Sequence, residues 1–200
     1  MKIGIIGTGN MASGLGKRFA RAGHEVMFGS RAPKKAQELA AAIGANASGG
    51  SQEDAAAFGE IVVLAMPFNA VRDTARSLPL DGKIVIETTN NMGGGSPTTT
   101  EQIQSWLPRA KVVKAFNTIF SNIIQSDVDP TKERAAVFIA GDDKDAKQTV
   151  ARAIGDIGFD AVDAGPARNA VHLENLVRFV IELGQGQGYG RTVAFKLVRL

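Results

Sequence analysis

The chain has 200 residues, 44% hydrophobic and 22% charged, with a formal net charge of +3, the balance of one globular domain or of one domain with a small appendage. It contains no Cys, which excludes a disulfide framework, a thiolate nucleophile and any Cys-ligated metal or iron–sulfur centre, and no apolar stretch reaches membrane-spanning length. The cationic residues are scattered and no nucleic-acid motif accompanies them, so the expected partner is an anionic small molecule, with neither nucleic acid nor membrane.

Residues 2–6 are a short apolar run, Gly7-Thr8-Gly9 reads as a turn, and residues 10–22 carry Met11, Leu15, Phe19 and Ala22 at helical spacing before Gly23. Met1 leads straight into this run with no space for a cleavable leader, so a cytoplasmic location is expected. Gly7 lets the chain turn sharply out of a strand, and Gly9 lets backbone approach a pyrophosphate with no Cβ in the way. Ala12 completes G-x-G-x-x-A, where a small side chain lets helix and strand pack closely. The free N–H groups near Asn10, Met11 and Ala12 then face the phosphates. Glycine turns also occur where only a tight bend is needed. Here the pattern follows a strand, opens a helix and precedes a second strand tip by about twenty residues, the context that dinucleotide binding requires.

That second tip, Val26-Met27-Phe28-Gly29-Ser30-Arg31, offers no Asp or Glu to accept from the ribose hydroxyls of NAD. Ser30 can donate to a 2′-phosphate and Arg31 can pair with it through a planar fork of donors, with Lys34 and Lys35 adding field just beyond. These residues predict NADP(H). The competing structural roles are a solvated Arg31 and a Ser30 that only caps the helix before Pro33.

Pro33 opens a helix whose apolar face, Ala36, Leu39, Ala40 and Ile43, ends at Gly44, and residues 44–50 read as a loop. Ser51-Gln52-Glu53-Asp54 is a capping signal for a helix over 52–58, and residues 61–66 are a continuous apolar run of the kind buried on both faces of a parallel sheet. After Pro67, Phe68, Val71, Ala75 and Leu78 mark a helix. A strand over 83–87 follows, with Thr88-Thr89-Asn90-Asn91 at its carboxyl end, then a glycine-rich loop over 93–100, a helix over 99–107 and a strand over 111–116. Strand, helix and strand recur at 135–140, 143–157 and 159–163. A long helix over 167–183 puts Leu173, Leu176, Val177, Val180 and Ile181 on one face. Residues 184–190 read as a flexible hinge, and 191–200 as a tail docked on its own chain or swapped onto a partner, the first being preferred.

This alternation predicts an α/β fold: a Rossmann-type, doubly wound, mainly parallel sheet with a small C-terminal helix-and-tail extension. The NADP-binding core spans 1–125, and 126–200 is an extension that continues the sheet. Ligands of such sheets bind beyond the carboxyl ends of the strands, which gathers residues 7–11, Ser30, Arg31, 65–68, 88–91, Asn117 and Thr118 on one rim.

The inventory of reactive side chains is short. His24 lies in a helix-to-strand turn remote from the rim, His172 suits a capping or surface role, and two His without Cys give no metal spacing. There is no G-x-S-x-G elbow and no Walker lysine, so no catalytic residue and no metal ligand is assigned. The chemistry is then left to the cofactor, and hydride transfer between two flat rings needs face-to-face positioning more than a strong acid or base. Ala65, Met66, Pro67, Thr89 and Asn117 are placed against the cofactor, and Phe68, Asn90, Asn91, Thr118 and Phe120 against the substrate. Asn and Thr can hold a carboxamide or ring carbonyl, while Met66, Phe68 and Phe120 supply apolar walls. The competing roles are a turn for Asn90 and Asn91, and core for Phe68 and Phe120.

Gly7-Thr8-Gly9-Asn10-Met11, Gly29-Ser30-Arg31, the KVVKAFNT run at 111–118, Gly141-Asp142-Asp143, Asp163-Ala164-Gly165-Pro166 and the LENL run at 173–176 together resemble the NADPH-dependent coenzyme F-420 reductases. The cytosolic NADP-binding domain of the STEAP ferric reductases falls in the same family. The resemblance implies hydride exchange between NADPH and a deazaflavin or flavin-like ring, and a homodimer. It puts Thr8, Ser30 and Arg31 at the 2′-phosphate end and the Pro67 and Asn117 regions beside the nicotinamide. A His stands at the position of Asn117 in the archaeal deazaflavin enzymes, and KAFNT is more similar to bacterial members and ferric reductase domains. An NADPH-dependent ferric or quinone reductase, or a non-catalytic NADP-sensing module, therefore stays open beside the F-420 or flavin reductase.

Overall fold

The alternating aliphatic runs and helices form a six-stranded parallel sheet in the computed structural model, which describes residues 1–93, 95–126 and 134–198. Residue 94 of the predicted loop, residues 127–133 of the predicted extension and residues 199–200 of the predicted tail lie outside the described residues. The strands are β1 (Lys2–Ile6), β2 (Glu25–Gly29), β3 (Ala47–Gly50), β4 (Ile61–Leu64), β5 (Ile84–Glu87) and β6 (Lys111–Lys114), in the order β3-β2-β1-β4-β5-β6. The order reverses between β1 and β4, and a crevice opens beyond the carboxyl ends of strands at such a reversal.

Side chains alternate between two cores. Ile3, Ile5, Ile61, Val63, Ile86 and Val113 join Ala12, Leu15 and Phe19 of helix α1 (Asn10–Arg21) on one face, and α2 (Pro33–Ile43) adds Ala36 and Ala40. Ile6, Val62, Leu64, Val85 and Val112 form the other with α3 (Gln52–Phe58), α4 (Phe68–Arg76) and α5 (Thr99–Trp106). Each such aliphatic side chain, fully buried, stabilises by about 1.5–3 kcal/mol, so the two-sided burial fixes the sheet as the rigid centre of the molecule. The Ser51 signal is realised as a capping box with Asp54 at the start of α3.

Residues 47–50, expected in a loop, are a strand paired in parallel with β2. A Cβ at Gly49 would lie 2.3 Å from the carbonyl of Ala36, so only glycine lets the backbone of α2 rest on this strand. A strand made of Ala-Ser-Gly-Gly carries no β-branched signal, which is why its sequence reads as loop.

Beyond β6, a short helix α6 (Ser121–Gln125) is held by Arg18, whose Nε donates to the Ile124 carbonyl at 2.7 Å and whose Nη2 donates to those of Ser126 and Ile123 at 2.8 and 3.0 Å. Strands β7 (Ala136–Ile139) and β8 (Asp160–Asp163) flank α7 (Lys144–Asp156) and pair with each other in a separate two-stranded sheet. The extension meets the main sheet through an antiparallel bridge between Lys114 and Ala140. A 3-10 turn (Ala167–Asn169) leads into α8 (Ala170–Ile181), which ends in a π-turn (Glu182–Gly186), so the predicted long helix is shorter at both ends. The predicted hinge is a hydrogen-bonded turn, with Gly190 N donating to Gly184 O at 2.8 Å. The tail docks on its own chain: Ala136 N donates to Phe195 O at 2.7 Å, and the Phe195 ring stacks on Phe179. No helix among the described residues is long and apolar enough to cross a membrane.

Candidate cofactor and substrate site

Two clefts open beyond the carboxyl ends of the strands, the first where the strand order reverses and the second beyond β5 and β6. The first, of about 270 Å³, is lined by Gly7, Thr8 and Gly9 from the first turn, Ser30 and Arg31 from the tip of β2, and Ala65, Met66 and Pro67 beyond β4. Gly7 has φ +134°, and a Cβ there would lie 2.4 Å from the Ala65 carbonyl, so the turn between the two strands closes only on glycine. Gly9 differs. A Cβ on it meets no atom within 4 Å, so its missing side chain leaves space in the cleft rather than relieving a contact in the protein. Gly9 is also the N-cap of α1 with no side-chain cap, which leaves the first-turn N–H groups to a ligand. Arg31 is exposed and makes no ion pair among the described residues. Anion-directed N–H groups, an open glycine and a free guanidinium fit a dinucleotide with an extra phosphate.

The second cleft, of about 310 Å³, is lined at the start of α1 by Met11, two residues beyond Gly9 of the first. Asn90, Asn117, Thr118 and Phe120 line it from the ends of β5 and β6, and Val177, Val180 and Ile181 of α8 close the other side. No titratable side chain among the described residues lines it. The backbone turns into it at Phe116, a buried aromatic residue with φ +63°, a conformation costly for a bulky side chain and one that persists only where the surroundings impose it. Asn117, 4% exposed, donates from Nδ2 to Asn90 Oδ1 at 2.9 Å and to the Leu173 carbonyl at 3.1 Å, while its Oδ1 has no hydrogen-bond partner among the described residues.

Beneath this cleft lies a buried cluster. Lys114 Nζ donates to Glu87 Oε1 at 2.6 Å and to the Thr89 carbonyl at 2.8 Å, and stands 3.3 Å from Glu174 Oε1. Thr100 Oγ1 donates to Glu87 Oε1 at 2.7 Å and Thr89 Oγ1 to Glu87 Oε2 at 2.6 Å. Burial pushes the Glu87 carboxyl up, but the Lys114 ammonium and these hydroxyl donors outweigh it and hold the group below its ordinary value.

Several expected residues lie elsewhere. Thr89 lines neither cleft, because its hydroxyl and N–H are committed to Glu87. Phe68 stacks on Trp106, ring centres 5.7 Å apart, the two half-buried against the second core. The Asn91 side chain turns back to accept from Gly93 N at 3.1 Å. Asn10 and Lys35 are exposed outside both linings. Gln52 and Thr74 line the first cleft without having been singled out in the sequence, and so does α8 in the second; nothing in the spacing of these residues points to the rim. His24 is buried between the Met1 amine and Asp156, and His172 is exposed. No group of His, Asp and Glu among the described residues could hold a metal.

Residues 2–91, which carry the whole first cleft, match the family model described as NADP oxidoreductase coenzyme F-420-dependent. Metalloreductase STEAP3 of Rattus norvegicus is 32% identical over 185 residues, 86% of this chain but 36% of that protein, so the chain spans about a third of that relative. The F-420-dependent NADP reductase of Methanothermobacter thermautotrophicus is 30% identical over 210 residues, covering 92% of this chain and 89% of the relative. A crystal structure from Arthrobacter sp. FB24, provisionally named an F-420-dependent NADP-reductase, agrees with a TM-score of 0.85 at 29% identity over 100% of both chains. The similarity thus runs past the fingerprint, through the cluster beneath the second cleft and into α8, and on that extent the chain belongs to the coenzyme F-420-dependent NADP oxidoreductase family.

Proposed function

We propose that this NADP-dependent oxidoreductase moves a hydride between NADPH, held across the first cleft, and a deazaflavin (coenzyme F-420) or flavin-like ring seated in the second. The observation that carries the reading is the placing of one cleft on Gly9 and the other on Met11 at the start of α1, the first with a free guanidinium and open N–H groups, the second apolar-walled and with no titratable side chain among the described residues. Gly7, Gly9 and the first turn of α1 cradle the pyrophosphate; Thr8, Ser30 and Arg31 take the 2′-phosphate end. Ala65, Met66, Pro67 and Asn117 flank the nicotinamide, and Asn90, Thr118 and Phe120 face the acceptor ring. NADPH, when bound, supplies the hydride. The proton that balances reduction of the acceptor comes from solvent, since no titratable side chain among the described residues lines the cleft. The protein's share is orientation and exclusion of water. A homodimer and a cytoplasmic location go with this reading, the first checked by the mass of the purified chain in solution.

A ferric or quinone reductase is the second reading, favoured by the 32% identity to Metalloreductase STEAP3 over 86% of this chain. Rates with NADPH and F-420, FMN, FAD, a quinone or ferric citrate, measured under identical conditions, separate the two. F-420 or a flavin is expected to be reduced fastest. Binding of NADP with no acceptor reduced would replace both readings with an NADP sensor.

A further inference from the structure

One wall of the second cleft, Val177, Val180 and Ile181, comes from α8, outside the dinucleotide-binding fingerprint. Contacts among aliphatic side chains keep such a helix on the protein but do not select one register, because apolar cores repack with little loss. Buried polar groups do select one, since their partners are in reach in a single arrangement. Glu174, 1% exposed and one turn before Val177, is such a group. Its Oε1 accepts from Thr99 N at 2.9 Å and from Thr99 Oγ1 at 2.7 Å, beside Lys114 Nζ. The preceding carbonyl, that of Leu173, takes the Asn117 amide, and Arg178 one turn later donates to the Met92 carbonyl at 2.8 Å. Three ties thus fasten α8 to the start of α5, to Asn117 of the other wall and to the segment that follows β5. A buried ion cluster adds little net stability over apolar side chains of the same volume, so stabilisation alone gives no reason for Glu174 to be charged.

We propose that Glu174 is a positioning residue for the acceptor: by fixing the register of α8 on Thr99 and Lys114, it sets the gap between Val177–Ile181 and the Asn117–Phe120 wall into which the flat ring fits. This rests on the second cleft being the acceptor site. The test is direct binding of F-420 and of FMN by fluorescence titration, with NADP+ titrated in parallel on the same full-length variants. Glu174→Leu removes the tie while leaving Glu87 and Lys114 as a balanced pair, and is expected to weaken ring binding about tenfold with NADP+ affinity held within about twofold. Glu174→Gln keeps an oxygen for Thr99 and is expected to restore ring binding to within about threefold of wild type. Thr99→Val, which loses the hydroxyl and keeps the N–H, is the milder variant should Glu174→Leu not fold, with about a threefold loss for the ring alone. A purely structural role would lower the melting temperature and weaken both ligands equally, and that result overturns the proposal. Unchanged ring binding in Glu174→Leu overturns it by itself, whereas a wild-type protein that binds neither ring overturns it together with the cleft assignment.

Discussion

Replacing Arg31 with Ala removes the cation that lines the first cleft while touching nothing in the core, because the side chain is exposed and unpaired. Two unit charges about 4 Å apart attract by about 1 kcal/mol in bulk water and about 4 kcal/mol at the effective dielectric of a protein surface. The open mouth of the cleft keeps the value near the lower end, and a charge-assisted hydrogen bond is worth about 1.5–3 kcal/mol. A loss of about 2 kcal/mol follows, which is about thirtyfold in the dissociation constant. The variant should therefore bind NADPH about thirtyfold more weakly and NADH within about twofold of wild type, read by titrating the reduced cofactor's fluorescence. The wild-type preference should also shrink between about 0.01 and 0.1 M salt, as the screening length falls from about 30 to 10 Å, and the variant's should not. Equal loss for NADPH and NADH would refute the assignment of Arg31 to the 2′-phosphate.

Gly9→Ala should separate binding from stability. Its backbone, φ −80° and ψ −175°, suits any residue and the added Cβ meets no atom within 4 Å, so the melting temperature should fall by less than about 4 °C while NADPH affinity drops at least about tenfold; unchanged NADPH affinity would place the pyrophosphate elsewhere. The Glu87 carboxyl, held below its ordinary value of 4.5 by Lys114 and its hydroxyl donors, binds fewer protons folded than unfolded. Its contribution is complete above that ordinary value and is lost as the pH falls through the lower folded one, so thermal stability measured against pH should steepen its decline only below 4.5. In Glu87→Gln that acid slope should be shallower, and an identical slope would show that another carboxyl controls it.

The parts of the molecule legible in the sequence were those built from local chemistry. The strand–turn–helix of residues 2–21, the capping box at Ser51 and the aliphatic strands β4, β5 and β6 each announce themselves within a few residues. Strand β3 did not, because its Gly49 answers to the backbone of α2, a contact no local pattern encodes. The cluster beneath the second cleft was equally silent: Lys114 meets Glu87 from 27 residues away and Glu174 from 60, and a strand reading KVVK looks like one with exposed charged ends. Phe68 shows the converse. Its place after Pro67 at a strand end predicts a ligand wall, but the helix it opens carries its ring onto Trp106.

The bridge between Lys114 and Ala140 has a consequence for how the molecule meets others of its kind. The outermost strand of a parallel sheet presents a row of unpaired N–H and C=O groups, a template on which another chain can add a strand. On β6 that row is interrupted where Lys114 N donates to Ala140 O at 2.8 Å and Ala140 N returns a bond to Lys114 O at 3.2 Å. Strand β7, which leads into that bridge, has its Ala136 N–H taken by the tail at Phe195. At the opposite end the exposed row is the four residues of β3, short and half glycine. Strand-by-strand association is thus obstructed at the β6 edge of the main sheet and confined to a four-residue strand at the β3 edge, while the carboxyl rim carries the two clefts.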